Sequence, residues 1–269
     1  NTAFGNATLQ TNTKGDRNTA IGMNTLATLN HTTTVDDYNT AVGYEAGVAV
    51  TTGIENTLLG AQAGQSLQDA DYNTAVGVAA LKTDTLGSRN VAVGYAALTS
   101  NTTASGNTAV GENSLSTNTT GASNTAVGKH ALKLNSTAAN NTAVGFQSLA
   151  ANTTGTGLTA VGFQALGANT TSGNSTAVGY KALAVSTATN NTAVGTNAGL
   201  VTVAGNYNTF MGANTAIANT AGFSNSAFGA GALAANTDAD NNTAIGYLAM
   251  TANTTAGDNV AVGMNAMLT

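Results

Sequence analysis

One pentad, Asn-Thr-Ala-Val-Gly or a near variant, recurs along the chain, and any fold proposed for it must repeat with the same period. It begins at residues 1, 18, 39, 56, 73, 90, 107, 124, 141, 158, 175, 191, 208, 225, 242 and 259, which makes 16 copies. Thirteen of the 15 intervals are 17 residues; that from Asn18 to Asn39 is 21 and that from Ser175 to Asn191 is 16. A short fixed period means that each repeat is one supersecondary unit, burying its apolar face against its neighbours. Seventeen residues are too few for helical-hairpin repeats, which need about 34, and no apolar stripe of helical period is present. Two short strands and two turns fit the length. The expectation is an all-β, parallel β-solenoid of about 16 coils. No linker interrupts the series, so residues 1–269 read as a single continuous array. The chain opens inside a repeat at Asn1, so it is expected to be a segment of something longer.

Aligning the copies assigns a task to each position. Position 5 is Gly in all 16 copies, as a turn requires where φ is positive or where no Cβ fits. Position 4 is always apolar, mostly Val; position 9 is Leu in ten copies. Position 2 is Thr in 13, with Ser226, Val91 and Val260 as the exceptions. Strand alternation puts positions 2 and 4 on one face and position 3 on the other. Because position 2 accepts both Thr and Val, this face, with position 9, is predicted to point into the coil. Position 3, Ala except for Leu58 and Phe210, then faces outward, where a small apolar row invites a second copy of the chain. A thin core strengthens that expectation, since one Val and one Leu per coil bury little area against the entropy of 17 ordered residues. Asn stacked at position 1 is expected to form an amide ladder between coils. Where Gly47, Gly64 and Gly199 replace the Leu of position 9, nearby Val48, Val50, Leu67, Leu200, Val201 and Val203 are expected to fold inward and refill the space.

The unit seen at Asn90-Val-Ala-Val-Gly-Tyr-Ala-Ala-Leu98 resembles the repeats of bacteriophage tail fibres and bacterial surface fibres. It is similar also to the Asn-Ser-Val-Ala-Ile-Gly repeats in heads of YadA-like trimeric autotransporter adhesins. The resemblance covers essentially the whole chain. It implies a left-handed β-roll, a homotrimer of side-by-side chains, and attachment as the task, outside a cell or on a virion appendage.

Composition narrows the functional classes. Charged residues make up 7%, against a usual ~25%, and the formal net charge is −5. That gives a nucleic-acid-binding surface no electrostatic support. No apolar run approaches the ~18 residues of a membrane span, so no membrane insertion is expected within the segment. Cysteine is absent and the two histidines, His31 and His130, lie far apart in the repeat. The chain is therefore read as no enzyme, with no cofactor and no metal. The pairs Asp36 and Asp37, Asp69 and Asp71, and Asp238 and Asp240 read as solvated loop carboxylates, because neighbouring coils do not extend them into the six to eight oxygens that Ca²⁺ wants. Sequons at Asn101, Asn118, Asn152, Asn169 and Asn253 lie in what read as exposed loops.

One surface feature suggests a ligand. Phe146, Phe163 and Tyr180 occupy position 6 of three successive coils, flanked at position 7 by Gln147, Gln164 and Lys181. An exposed aromatic stack beside amides suits a surface glycan or a protein receptor. The leading function is thus a structural and adhesive extracellular fibre segment. The alternative is a monomeric ice-binding β-solenoid, since Thr ladders on a flat β face can match an ice lattice.

Overall fold

A computed structural model describes residues 1–268. Its contacts divide the chain into two compact units, Asn1–Ala138 and Ala139–Thr269, and each is a parallel β-solenoid of the 17-residue repeat. No helix occurs among the described residues. In the first unit eight three-residue strands, from Thr2–Phe4 to Thr125–Val127, pair in parallel with like positions opposite, for example Thr74 with Val91 and Val76 with Val93. The second unit repeats this from Thr142–Val144 to Val260–Val262. The 21-residue coil adds a small parallel pair, Gly15–Asp16 with Val35–Asp36.

The strand faces are the reverse of the expectation. Ala at position 3 points into the coil and is fully buried in most copies, whereas positions 2 and 4 lie half-buried or exposed on the outer surface. The reason is the narrowness of the coil. Position 3 shares its space with position 9: the Cβ that Gly64 lacks would lie 2.7 Å from Cδ2 of Leu58. With Leu at position 9, only a methyl group fits opposite. The small apolar row is therefore covered by the coil's own far wall, and needs no second chain to cover it.

The same geometry explains the irregular copies. Leu58 and Phe210, the two large residues at position 3, are completely buried. Leu58 fills the room left by Gly47 and Gly64, and Phe210 fills that left by Gly199. Of the residues expected to refill these gaps, Val50 and Leu67 are buried at position 12, but Val203 is 42% exposed, and Thr202 takes the interior place beside Gly199.

Position 9 carries an unexpected backbone. Its leucines all adopt left-handed φ, between 47° and 55°, and position 7 is left-handed as well. Such a conformation costs a side-chain-bearing residue roughly 1–2 kcal/mol. It turns the peptide groups along the stacking direction, so that Leu98 N–H donates to Ser114 C=O and Ala96 N–H to Val78 C=O. One bond runs to the coil above and the other to the coil below. Burial of the Leu side chain, worth about 1.5–3 kcal/mol, offsets the strain. At position 5 both expected reasons for Gly hold. Gly94 has φ of 135°, and a Cβ there would lie 2.7 Å from the carbonyl oxygen of Gly111.

Two polar ladders close the coil. Asn107 at position 1 donates its Nδ2 to Gly121 C=O of its own coil, while its Oδ1 accepts the N–H of Asn124, each at 2.9 Å. The position-1 ladder therefore ties side chain to backbone more than amide to amide. A second ladder at position 12 does link amides: Asn118 Nδ2 donates to Asn101 Oδ1, and Asn135 Nδ2 to Asn118 Oδ1, both at 2.9 Å. Asn101 and Asn118 are among the sequon residues expected in exposed loops, yet all three side chains are fully buried.

Candidate functional site

With Ala turned inward, the outer strand face consists of one row from position 2 and one from position 4. No charged residue occurs in either row in any coil. The two rows are locked in register by the parallel pairing, so a row of position-2 residues, mostly Thr, runs beside a row of apolar position-4 residues, each repeating once per coil. Elsewhere threonine hydroxyls are occupied within the fold. Thr25 at position 8 donates to Gly43 C=O, Thr117 at position 11 to Lys133 C=O, and Thr102 at position 13 to Thr119 C=O. The position-2 hydroxyls, such as those of Thr74, Thr108 and Thr159, make no hydrogen bond among the described residues. They are left to water or to a partner.

The aromatic residues do come together. Phe146 and Phe163 stack with centroids 5.6 Å apart and planes 13° from parallel, and Phe163 and Tyr180 with 5.2 Å and 10°. All three are about two-fifths to one-half exposed. Gln164 Nε2 donates to Gln147 Oε1 at 2.9 Å, and Lys181 Nζ lies 5.4 Å from the Tyr180 ring centroid. Because the rings face one another, they present mainly edges to solvent, together with the row of amides.

The acidic pairs are drawn into local bonding. Asp69 accepts from the hydroxyls of Thr51 and Thr52, which holds its carboxyl below the usual range. Asp71 and Asp240 accept backbone N–H groups of the preceding coil, from Ile54 and Phe223. Asp36 pairs with Arg17 at 2.7 Å. Asp37 is not a solvated carboxylate: it is fully buried, accepts from Asn18 Nδ2 at 2.7 Å, and lies 2.8 Å from His31 Nε2. In the longer coil it takes the place that a position-15 carbonyl fills elsewhere. Among the described residues no group of three or more His, Asp or Glu is placed to hold a metal ion. His130 stands beside Lys129 and Lys133, and burial followed by these cations lowers its pKa.

Two readings of the loops change. The sequons at Asn101, Asn118, Asn152 and Asn169 are inside the position-12 ladder and fully buried, and Asn253 is part-buried in the same row. A folded coil has no room for a glycan there. Asp84 occupies this row too, between Leu67 and Asn101, and is fully buried. It accepts from Asn101 Nδ2 and Gly87 N–H, each at 2.7 Å, yet burial pushes its pKa up to about 6. No helix among the described residues is long and apolar enough to cross a membrane. No protein-family model matches the chain, and no curated protein matches it.

Proposed function

We propose that this chain is a structural and adhesive segment of an extracellular fibre, a shaft or head displayed on a cell surface or a virion, with identical chains packed as a homotrimer. The observation that carries the reading is the uncharged Thr and Val strand face, repeated in every coil. Phe4, Ile21, Leu59, Met211, Phe228 and Ile245 stand at position 4 with 36% or more of their surface exposed. Continuous apolar rows of this kind are characteristic of association surfaces. Self-association thus moves from the Ala row, which lies inside, to the opposite side of the same strand. The Phe146, Phe163 and Tyr180 stack, on the adjoining edge, remains the proposed contact for a glycan or protein receptor. Sedimentation at micromolar concentration tests the assembly: a trimer is expected, and Val110→Lys with Val76→Lys should dissociate it. A folded monomer would end the trimer reading.

A second reading is favoured by one specific feature. The position-2 hydroxyls point outward and unbonded, in ranks set by the coil spacing of about 4.8 Å, which is what an ice-binding monomer would use. Thermal hysteresis separates the two: a clear hysteresis gap from a monomeric chain supports ice binding, and its absence from a trimer supports the fibre.

A further inference from the structure

Coils are joined in series, so a solenoid opens first where two neighbours are joined least. In the second unit the coils beginning at Asn208 and Asn225 show a complete junction. Asn208 Oδ1 accepts Asn225 N–H at 2.9 Å, Asn236 Nδ2 donates to Asn219 Oδ1 at 2.7 Å, and Thr220 N–H donates to Thr237 C=O at 2.8 Å. The coils beginning at Leu158 and Ser175 lack all three bonds. Leu158 stands at position 1 with no side-chain acceptor, and Ser175 N–H makes no hydrogen bond among the described residues. Ser186 at position 12 is one bond too short to continue the amide row. The fully buried Asn169 Oδ1 is accordingly left without a partner among the described residues, a state that buried polar atoms rarely tolerate. Thr170 N–H, the counterpart of Thr220 N–H, is unpaired there too. The strand pairing of Thr159–Val161 with Thr176–Val178 is intact, and the Ser172 hydroxyl donates to Thr187 C=O. The second coil of the pair is the 16-residue one.

On the outer surface this same junction carries a contact that the complete one lacks. Phe163 and Tyr180 stack across it with centroids 5.2 Å apart, whereas the Asn208 and Asn225 coils have Ala213 and Ala230 at position 6. We propose that the Leu158–Ser175 junction is a point of local opening built into the solenoid, held shut from outside by the Phe163–Tyr180 stack. Aromatic pairs attract beyond the area they bury, and this one sits where the inner ladders supply nothing. A ligand that takes Tyr180 away from Phe163 shifts the junction toward its open form. The clasp belongs to the solenoid itself and stands whether or not the rings also meet a receptor.

Native-state hydrogen exchange of the full chain tests it. Thr159, Leu166, Gly179 and Lys181 donate their N–H groups across this junction, and Thr209, Ala216, Gly229 and Gly231 are their counterparts across the complete one. The first four are expected to exchange roughly tenfold faster than the second four. Tyr180→Ala should speed the first set by about threefold or more and leave the second alone, while Tyr180→Phe keeps the stack and the original rates. Tyr247→Ala, which removes an exposed position-6 ring with no stacked partner, should change neither set. Leu158→Asn returns an acceptor to Ser175 N–H and should slow the first set. Equal exchange at the two junctions of the unaltered chain would overturn the opening point, a comparison that needs no variant to fold. An unchanged rate in Tyr180→Ala, or one raised equally in both sets, would overturn the clasp.

Discussion

The coils that begin at Asn39 and Asn56 and those that begin at Asn90 and Asn107 share one backbone and fill it differently. The first pair combines Gly47 and Gly64 at position 9 with Leu58 at position 3, and places Val50 and Leu67 at position 12. The second pair combines Leu98 and Leu115 with Ala92 and Ala109, and places Asn101 and Asn118 at position 12. In both pairs the interior is filled; the position that fills it is exchangeable across the coil. Position 12 shows that a buried row can be either apolar or amide, provided that each row is internally consistent. Asp84 sits at the seam between the two fillings.

The strongest way to break this comparison is to empty the shared space. Leu58→Ala should cost about 3–5 kcal/mol, since one side chain serves both glycines and its loss leaves a cavity. Adding Gly64→Leu should restore part of the loss, with Leu67, whose Cδ1 would lie 2.7 Å from the new Cβ, moving aside. Unfolding in denaturant measures both, and absence of any rescue would show that positions 3 and 9 do not share volume.

The seam is the next target. The Asp84 carboxyl is raised to about 6 from a reference of 3.8, so the folded state holds its proton more tightly than the unfolded chain. Its contribution is fully present below about pH 4 and is lost as pH rises through 6, an effect of order 2–3 kcal/mol. Asp84→Asn continues the amide row and should flatten the melting temperature over that range. An unchanged pH slope in the variant would remove Asp84 as its source.

A smaller loss is expected within the amide filling. Asn118→Leu copies the residue of the apolar coils but strands Asn101 Oδ1 and takes one of its two bonds from Asn135 Nδ2, at about 1–3 kcal/mol. A neutral result would mean that the rows are interchangeable one coil at a time. Glu112→Gln removes the exposed 2.9 Å pair with Lys129 and should change stability by less than about 0.5 kcal/mol, which sets the baseline for the other three.

Periodicity made the solenoid, the in-register strands and the task of Gly94 and its equivalents legible before any coordinates. The facing of the strand was not, because Thr and Val were credited with the core on the strength of size and β-branching. The pairing of Leu58 with Gly47 and Gly64, and of Phe210 with Gly199, carried the answer: position 3 grows where position 9 shrinks, which only facing residues do. The left-handed leucines had no such signal, since leucine is not a residue that announces positive φ. The position-12 amides were concealed by resembling an ordinary Asn-Thr-Thr loop, and with them the burial of Asp84 and of the sequons. The aromatic stack was legible from spacing alone, but the face-to-face attitude of its rings was not, because spacing sets how far apart the rings stand and not how they are turned.

The two halves of each position-1 amide have different partners in time as well as in space. The Nδ2 of Asn107 closes onto Gly121 of its own coil, while the Oδ1 of Asn90 meets Asn107 N–H, which belongs to the coil that follows. The donor half of this amide is thus satisfied within its own coil, while the acceptor half is presented to chain not yet added. Within each unit that makes every coil a template for its successor in the order of synthesis. A nascent chain leaving the ribosome amino end first can add one coil per 17 residues, without waiting for its carboxyl end to exist.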